Sequence, residues 1–126
     1  MNEQIKTWID RINVMLADDH REAQLVRVGR MAMEQNKDLL SPAPYVTAGS
    51  GRKYLKIWRT RSSGSQTIFC FIRLSDGAIM RAESIKKPAK HARGSIFDAD
   101  VTTACYRYGA KYMPGTGAGK RATLDA

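Results

Sequence analysis

The residues best equipped for chemistry lie between Arg52 and Arg93, where eleven Lys/Arg stand against two Asp/Glu and aromatic rings are interleaved with the cations. Unpaired bases stack on such rings, gaining roughly 1 to 3 kcal/mol per base, while cations follow the sugar-phosphate backbone. Both requirements are met here, by Trp58, Phe69 and Phe71 with Tyr54, and by Arg52, Lys53, Lys56, Arg73 and Arg81. Downstream, Lys86-Lys87-Pro88-Ala89-Lys90-His91-Ala92-Arg93-Gly94 reads as a basic loop suited to phosphate contact, with Gly94 permitting close backbone approach. The expected nucleic-acid contacts are therefore Arg52, Lys53, Tyr54, Lys56, Trp58, Phe69, Phe71, Arg73, Arg81, Lys86, Lys87, Lys90, His91 and Arg93. The alternative is that Trp58, Phe69 and Phe71 form a second core face, covered by the C-terminal segment or by a dimer partner.

Other chemistries find less support. Two His and two Cys are spread along the chain without zinc-ligand spacing, so no metal is expected, and no cofactor. His91 could hydrogen-bond phosphate or a base, whereas His20 suits a cap or a surface position. Pro114-Gly-Thr-Gly-Ala-Gly-Lys120-Arg121 superficially resembles a phosphate loop, but Pro114 stands at the required first glycine and Arg121 at the required Ser/Thr. No triad spacing occurs. Asp98 and Asp100 could serve a metal-dependent nuclease, but helix capping explains them more simply, so the expectation is a protein that is not an enzyme.

Charge strengthens the polyanion reading. The net charge is +9, yet residues 1–40 hold six Lys/Arg against seven Asp/Glu, so the excess lies entirely beyond residue 40. Such one-sided charge suits a partner whose condensed counterions are released on binding. No apolar run is long enough to span a membrane, and residues 1–10 lack the apolar core of a secretory signal. Cys70 and Cys105 sit inside apolar patterns, which favours buried reduced thiols over a disulfide, and hence a reducing cytoplasm.

These residues must be positioned by elements that the patterning suggests. A chain of 126 residues, 43% hydrophobic and 26% charged, is sized for one domain with a modest core. Ile5, Ile9, Ile12 and Leu16 recur at helical spacing, and Ala23, Val26 and Met33 continue the stripe to about Leu40. Asp18, Asp19 and His20 interrupt it, and Asp19 with Glu22 reads as a capping box, so two helices are favoured over one long one. Residues 52–86 then read as a three-stranded meander, Arg52 to Arg61, Gln66 to Ser75 and Ala78 to Lys86. The expected fold class is α+β, with the helical segments on one face of a small antiparallel sheet.

Cross-strand partners share a face, which sets the expected register. A Ser62 to Ser65 loop pairs Leu55 with Ile72 and Ile57 with Cys70 on an apolar face, leaving Trp58 opposite Phe69, Lys56 opposite Phe71 and Tyr54 opposite Arg73. A three-residue Ser75-Asp76-Gly77 loop with left-handed Gly77 sets Met80 beside Ile72 and Ala82 beside Cys70. The second face then carries the rows Lys56, Phe71, Arg81; Trp58, Phe69, Glu83; and Tyr54, Arg73, Ile79. Residues 101–113 form a short helix or strand on the sheet, closing a domain at residue 113, and residues 114–126 a mobile Gly-rich tail.

The stretch Lys53 to Asp98, a meander running into Pro88-Ala89-Lys90-His91-Ala92-Arg93-Gly94, resembles small DNA-binding proteins encoded by viruses and phages. A curved sheet with helices on one side is also similar to the Whirly class of single-strand binders, which have more strands in a different order. The resemblance implies single-stranded DNA held on the sheet, often by oligomers, and a host cytoplasm if the chain is viral. The functional expectation is sequence-tolerant binding of single-stranded DNA or RNA, by a homodimer or higher oligomer. Two alternatives stand beside it: an interaction module for an acidic protein partner, and a double-strand binder that touches only phosphates.

Overall fold

The computed structural model describes residues 2–29 and 42–112. One helix, α1 (Asn2–Val28), runs unbroken through Asp18-Asp19-His20, so the expected break into two helices is absent. No Pro or Gly interrupts those turns, and their polar groups find places: Asp18 is exposed, Asp19 pairs with Arg107, and His20 bonds Gln24 one turn on at 3.0 Å. The buried stripe is Ile5, Trp8, Ile12 and Leu16, with Trp8 at its centre and Ile9 only flanking it. Ala23 and Val26 do not continue the stripe, for both are exposed. The helix closes on left-handed Gly29 (φ 89°), whose N–H donates to the Leu25 carbonyl at 3.0 Å. The expected helical stretch from residue 30 to Leu40, with Met33, lies outside the described residues.

The sheet has five antiparallel strands in chain order, β1 (Tyr45–Ala48), β2 (Tyr54–Thr60), β3 (Gln66–Arg73), β4 (Ala78–Ala82) and β5 (Pro88–Ser95). The chain is thus α+β, one helix against a meander, as the patterning indicates. Two strands went unread. Tyr45–Ala48 is short, and the expected basic loop is instead β5, the edge strand, its Lys and Pro typical of edges that discourage further pairing. At the other edge, Asn13 blocks β1: its Nδ2 donates to the Val46 carbonyl at 3.2 Å and its Oδ1 accepts from the Val46 N–H at 2.7 Å.

Register decides the faces. Tyr54↔Arg73, Leu55↔Ile72, Lys56↔Phe71 and Ile57↔Cys70 pair as expected. Beyond them a bulge intervenes, so Trp58 lies opposite Ile68 instead of Phe69. Arg61 N–H bonds Ser65 C=O at 2.9 Å, which shortens the loop to Ser62-Ser63-Gly64. At the second turn Gly77 is left-handed (φ 78°) as expected, but four residues, Leu74 to Gly77, separate the Arg73↔Ala78 pair. Ile79 therefore stands beside Ile72, and Met80 beside Phe71 on the opposite face. The same register carries Ala82 past Cys70, and on its other side Ala82 pairs with Pro88.

The helix face buries Ile57, Cys70, Ile72 and Ile79 with the α1 stripe, and Phe69 joins them through the bulge. Phe71, Ala78 and Met80 make a second, smaller cluster with Tyr54, Ile68 and Ala82. Residues 101–112 are neither one helix nor one strand. Asp100 caps a 3₁₀ turn (Val101–Thr103), and the two-residue strands β6 (Cys105–Tyr106) and β7 (Gly109–Ala110) follow as a hairpin. The hairpin docks closely: a Cβ on Gly109 would lie 2.2 Å from the Phe69 carbonyl oxygen, at a φ of 140° that side chains rarely adopt. Cys70 and Cys105 are free, buried thiols in the main core, and burial pushes the Cys70 thiol well above its ordinary pKa. The tail from residue 114, with its phosphate-loop-like run, lies outside the described residues.

Candidate nucleic-acid interface

The expected contact residues separate into two groups. On the open side of the sheet, β2 presents Tyr54, Lys56 and Trp58, all half-buried, after the exposed turn residues Arg52 and Lys53. Lys53 Nζ lies 5.8 Å from the Tyr54 ring centroid. Arg73 stands on the same side but is engaged, with Nε and Nη2 donating to both Asp76 carboxylate oxygens at 3.0 and 2.7 Å.

The aromatic row expected there is not assembled. Phe69 and Phe71 are each 2% exposed and lie on opposite faces, Phe69 in the main core and Phe71 in the small second cluster. Phe71, Trp58 and Lys56 share a face as expected, but a ring that the solvent does not reach cannot stack on a base without local opening. The bulge is the cause for Phe69: it adds one residue to β3 and turns the ring into the main core.

The second group forms a groove of about 630 Å³ where β4 and β5 meet, lined by Arg81, Lys87, Lys90, Arg93 and Tyr112, with Glu83 the one acid in its wall among the described residues. Arg81, placed by the four-residue turn on the helix side of β4, reaches the Ala110 carbonyl, and its guanidinium carbon sits 3.3 Å from the Tyr112 ring centroid. Arg93 Nε donates to the Lys111 carbonyl at 2.7 Å. Burial and then the like charge of Arg81 hold the Arg93 pKa below its ordinary value. Lys90 and His91 are exposed, as are Lys86 and Lys87 in the preceding turn, where Lys87 Nζ lies 3.7 Å from Glu83. Surface pairs of this kind contribute little.

Thirteen Lys/Arg lie between residues 52 and 112, and three are ion-paired, Arg73, Lys87 and Arg107. The remaining ten have no carboxylate partner among the described residues, so the positive field is largely uncompensated. Among those residues no three His, Cys, Asp or Glu gather as a metal site would need. Asp98 and Asp100 hold backbone: Asp98 accepts from Ser95 N–H at 2.9 Å, and Asp100 from Thr102 N–H at 2.9 Å.

Sequence reasoning overlooked a third cluster. Arg59, Arg61, Arg107 and Tyr108 meet beside the C-terminal part of α1. One signal was readable: Arg59 continues the alternation of Leu55 and Ile57 and so places a charge at an inward position.

The Arg73–Asp76 pair carries a pH dependence. Hydrogen bonds from Arg73, then from the Ala78 N–H, hold the Asp76 pKa at about 2, below the ordinary value of about 3.9. A depressed carboxylate stabilises fully above its unfolded pKa and loses that contribution as pH falls toward 2. Asp76→Asn keeps the acceptor for Ala78 but removes the charge. Its urea midpoint should lie below wild type at pH 6 and converge with it near pH 2; a constant gap would show the charge to be irrelevant.

One α-helix laid on one face of a five-stranded antiparallel meander, with a small hairpin closing the core and a cation-lined edge, defines a small basic α+β protein. The chain belongs to the family of unknown function DUF7717, whose model matches residues 1–112. No curated protein and no solved structure matches it. No helix among the described residues is long and apolar enough to cross a membrane.

Proposed function

We propose that this protein binds nucleic acid without turnover, through phosphate contacts centred on the β4–β5 groove, with single strands the favoured form. The observation that carries this reading is the groove itself, where Arg81, Lys87, Lys90 and Arg93 converge against one carboxylate. Cations so placed suit a polyanion whose phosphates are regularly spaced along the chain. Tyr112, 39% exposed at the groove, and half-buried Trp58 each offer a ring to an unpaired base. Stacking is thus a smaller contribution than an exposed Phe69–Phe71 platform would supply, and affinity rests chiefly on charge.

Two measurements test this. Binding of a labelled single strand should weaken steeply with salt, with a logarithmic slope of roughly −0.7 for each phosphate neutralised. In competition, an unlabelled single strand should displace the label better than a duplex of equal length, and polyglutamate of equal charge should compete poorly. A flat salt response would refute nucleic-acid binding, a better duplex would assign a double-strand binder, and equal competition by polyglutamate would assign an acidic protein partner. Fluorescence of a Trp8→Phe variant, in which Trp58 alone reports, shows whether the strand also crosses the open face.

A further inference from the structure

The overlooked arginine cluster surrounds a cleft of about 350 Å³ between the C-terminal part of α1 and the end of β2. Arg27, Arg59, Arg61 and Arg107 line it, with Asp19 the one carboxylate among the described residues. Asp19 is already taken by Arg107, whose Nε and Nη2 lie 2.7 and 3.1 Å from its oxygens. The alternation of β2 sends Arg59 inward, where its Nε is buried with no hydrogen-bond partner among the described residues. Tyr108, 60% exposed, has the guanidinium carbons of Arg59 and Arg107 at 5.3 and 6.0 Å from its ring centroid.

Four guanidinia beside one neutralised carboxylate repel one another, and a buried donor without an acceptor is costly. Burial lowers the Arg59 pKa; Tyr108 opposes that shift, and the charges of Arg61 and Arg107 act in the same direction as burial. Such an arrangement gains most from an anion with several acceptor oxygens. The negative end of the α1 dipole lies nearby and opposes any anion, but it amounts to about half a charge against several arginines.

We propose that this cleft binds a phosphate monoester, the group carried at the 5′ end of a nucleotide strand or on a free mononucleotide. A monoester brings a charge of about −1.5 to −2 at pH 7 and three terminal oxygens, where an internal diester brings one charge and two oxygens. Forked guanidinia bind such a group bidentately. The exposed Tyr108 ring beside them offers the attached base a stacking surface. The strand as source rests on the function proposed above; the free nucleotide does not.

The test compares two short strands, labelled at the 3′ end and differing only in a 5′-phosphate or 5′-hydroxyl, together with calorimetric titration of a mononucleotide. The 5′-phosphate should tighten binding by about tenfold, the gain expected of charge-assisted hydrogen bonds to one group. Below about pH 5 that ratio should fall, as the monoester loses its second charge and keeps only one. Arg59→Gln should abolish the ratio while leaving the 5′-hydroxyl strand unaffected, with exposed Arg61→Gln as a second variant should the first fail to fold. Lys87→Gln with Lys90→Gln should weaken both strands equally and preserve the ratio, which separates failure of the groove from failure of the cleft. Mononucleotide binding lost in Arg59→Gln, without discrimination of strand ends, would assign the free nucleotide as the ligand. Equal affinity for both strands with no mononucleotide binding, or discrimination that survives both arginine variants, overturns the proposal.

Discussion

Replacing Lys86, Lys87 and Lys90 together by glutamine should lower affinity for a single strand on the order of 30-fold at about 50 mM salt and reduce the logarithmic salt slope by about two. The three ammonium groups are exposed, Lys86 and Lys87 at the turn into β5 and Lys90 on β5 itself, and two of them line the groove. None packs in either hydrophobic cluster, so the variant should fold as wild type does, with an unchanged circular dichroism spectrum and urea midpoint. Arg81 and Arg93 are less suitable probes, because they also hold the carbonyls of Ala110 and Lys111 against the sheet. An unchanged salt slope in the triple variant would remove the groove from the interface. Loss of affinity without a change in slope would mean that the lysines act through structure.

Trp8→Ala should cost about 3 to 5 kcal/mol of folding stability, a large share of the roughly 5 to 15 kcal/mol available to a small protein. Trp8 is 1% exposed at the centre of the helix stripe, facing Ile57, Cys70, Ile72 and Ile79 across the main core. Truncation leaves a cavity that a hydrogen-bonded sheet and a single helix cannot readily close. Its Nε1 is buried with no hydrogen-bond partner among the described residues, so the indole donor carries an uncompensated desolvation cost. Trp8→Phe removes that donor as well as some volume, and should cost less than about 1.5 kcal/mol. Chemical denaturation of the two variants measures both effects; a similar loss in each would show that the indole contributes through its N–H and not through its bulk.

Local pattern was enough for the elements whose faces differ in polarity. Helical spacing of Ile5, Ile12 and Leu16 announces α1, and alternation with β-branched and aromatic residues announces β2, β3 and β4. The first half of the β2–β3 register was legible because Leu55, Ile57, Cys70 and Ile72 must all avoid water. β5 was not legible, since an edge strand of Lys, His and Arg shows no apolar alternation, and its pairing with β4 comes from the backbone alone. The break expected at Asp18 was an error of context: Arg107, far along the chain, supplies the partner that makes Asp19 tolerable within a helix.

The sequence alone determined the α+β class, the concentration of charge beyond residue 40, and the membership of Lys87, Lys90, Arg81 and Arg93 in one basic region. Tertiary structure decided what those residues can reach. One extra residue at Phe69 and one extra residue in the 74–77 turn moved two side chains across the sheet: Phe69 went into the core, and Arg81 went to the hairpin and the Tyr112 ring. Side chains alternate with period two along a strand, so a single-residue shift exchanges the faces of everything beyond it. The bulged Phe69 joins the main core, and its backbone lies against Gly109, a contact between residues forty positions apart that no local pattern contains.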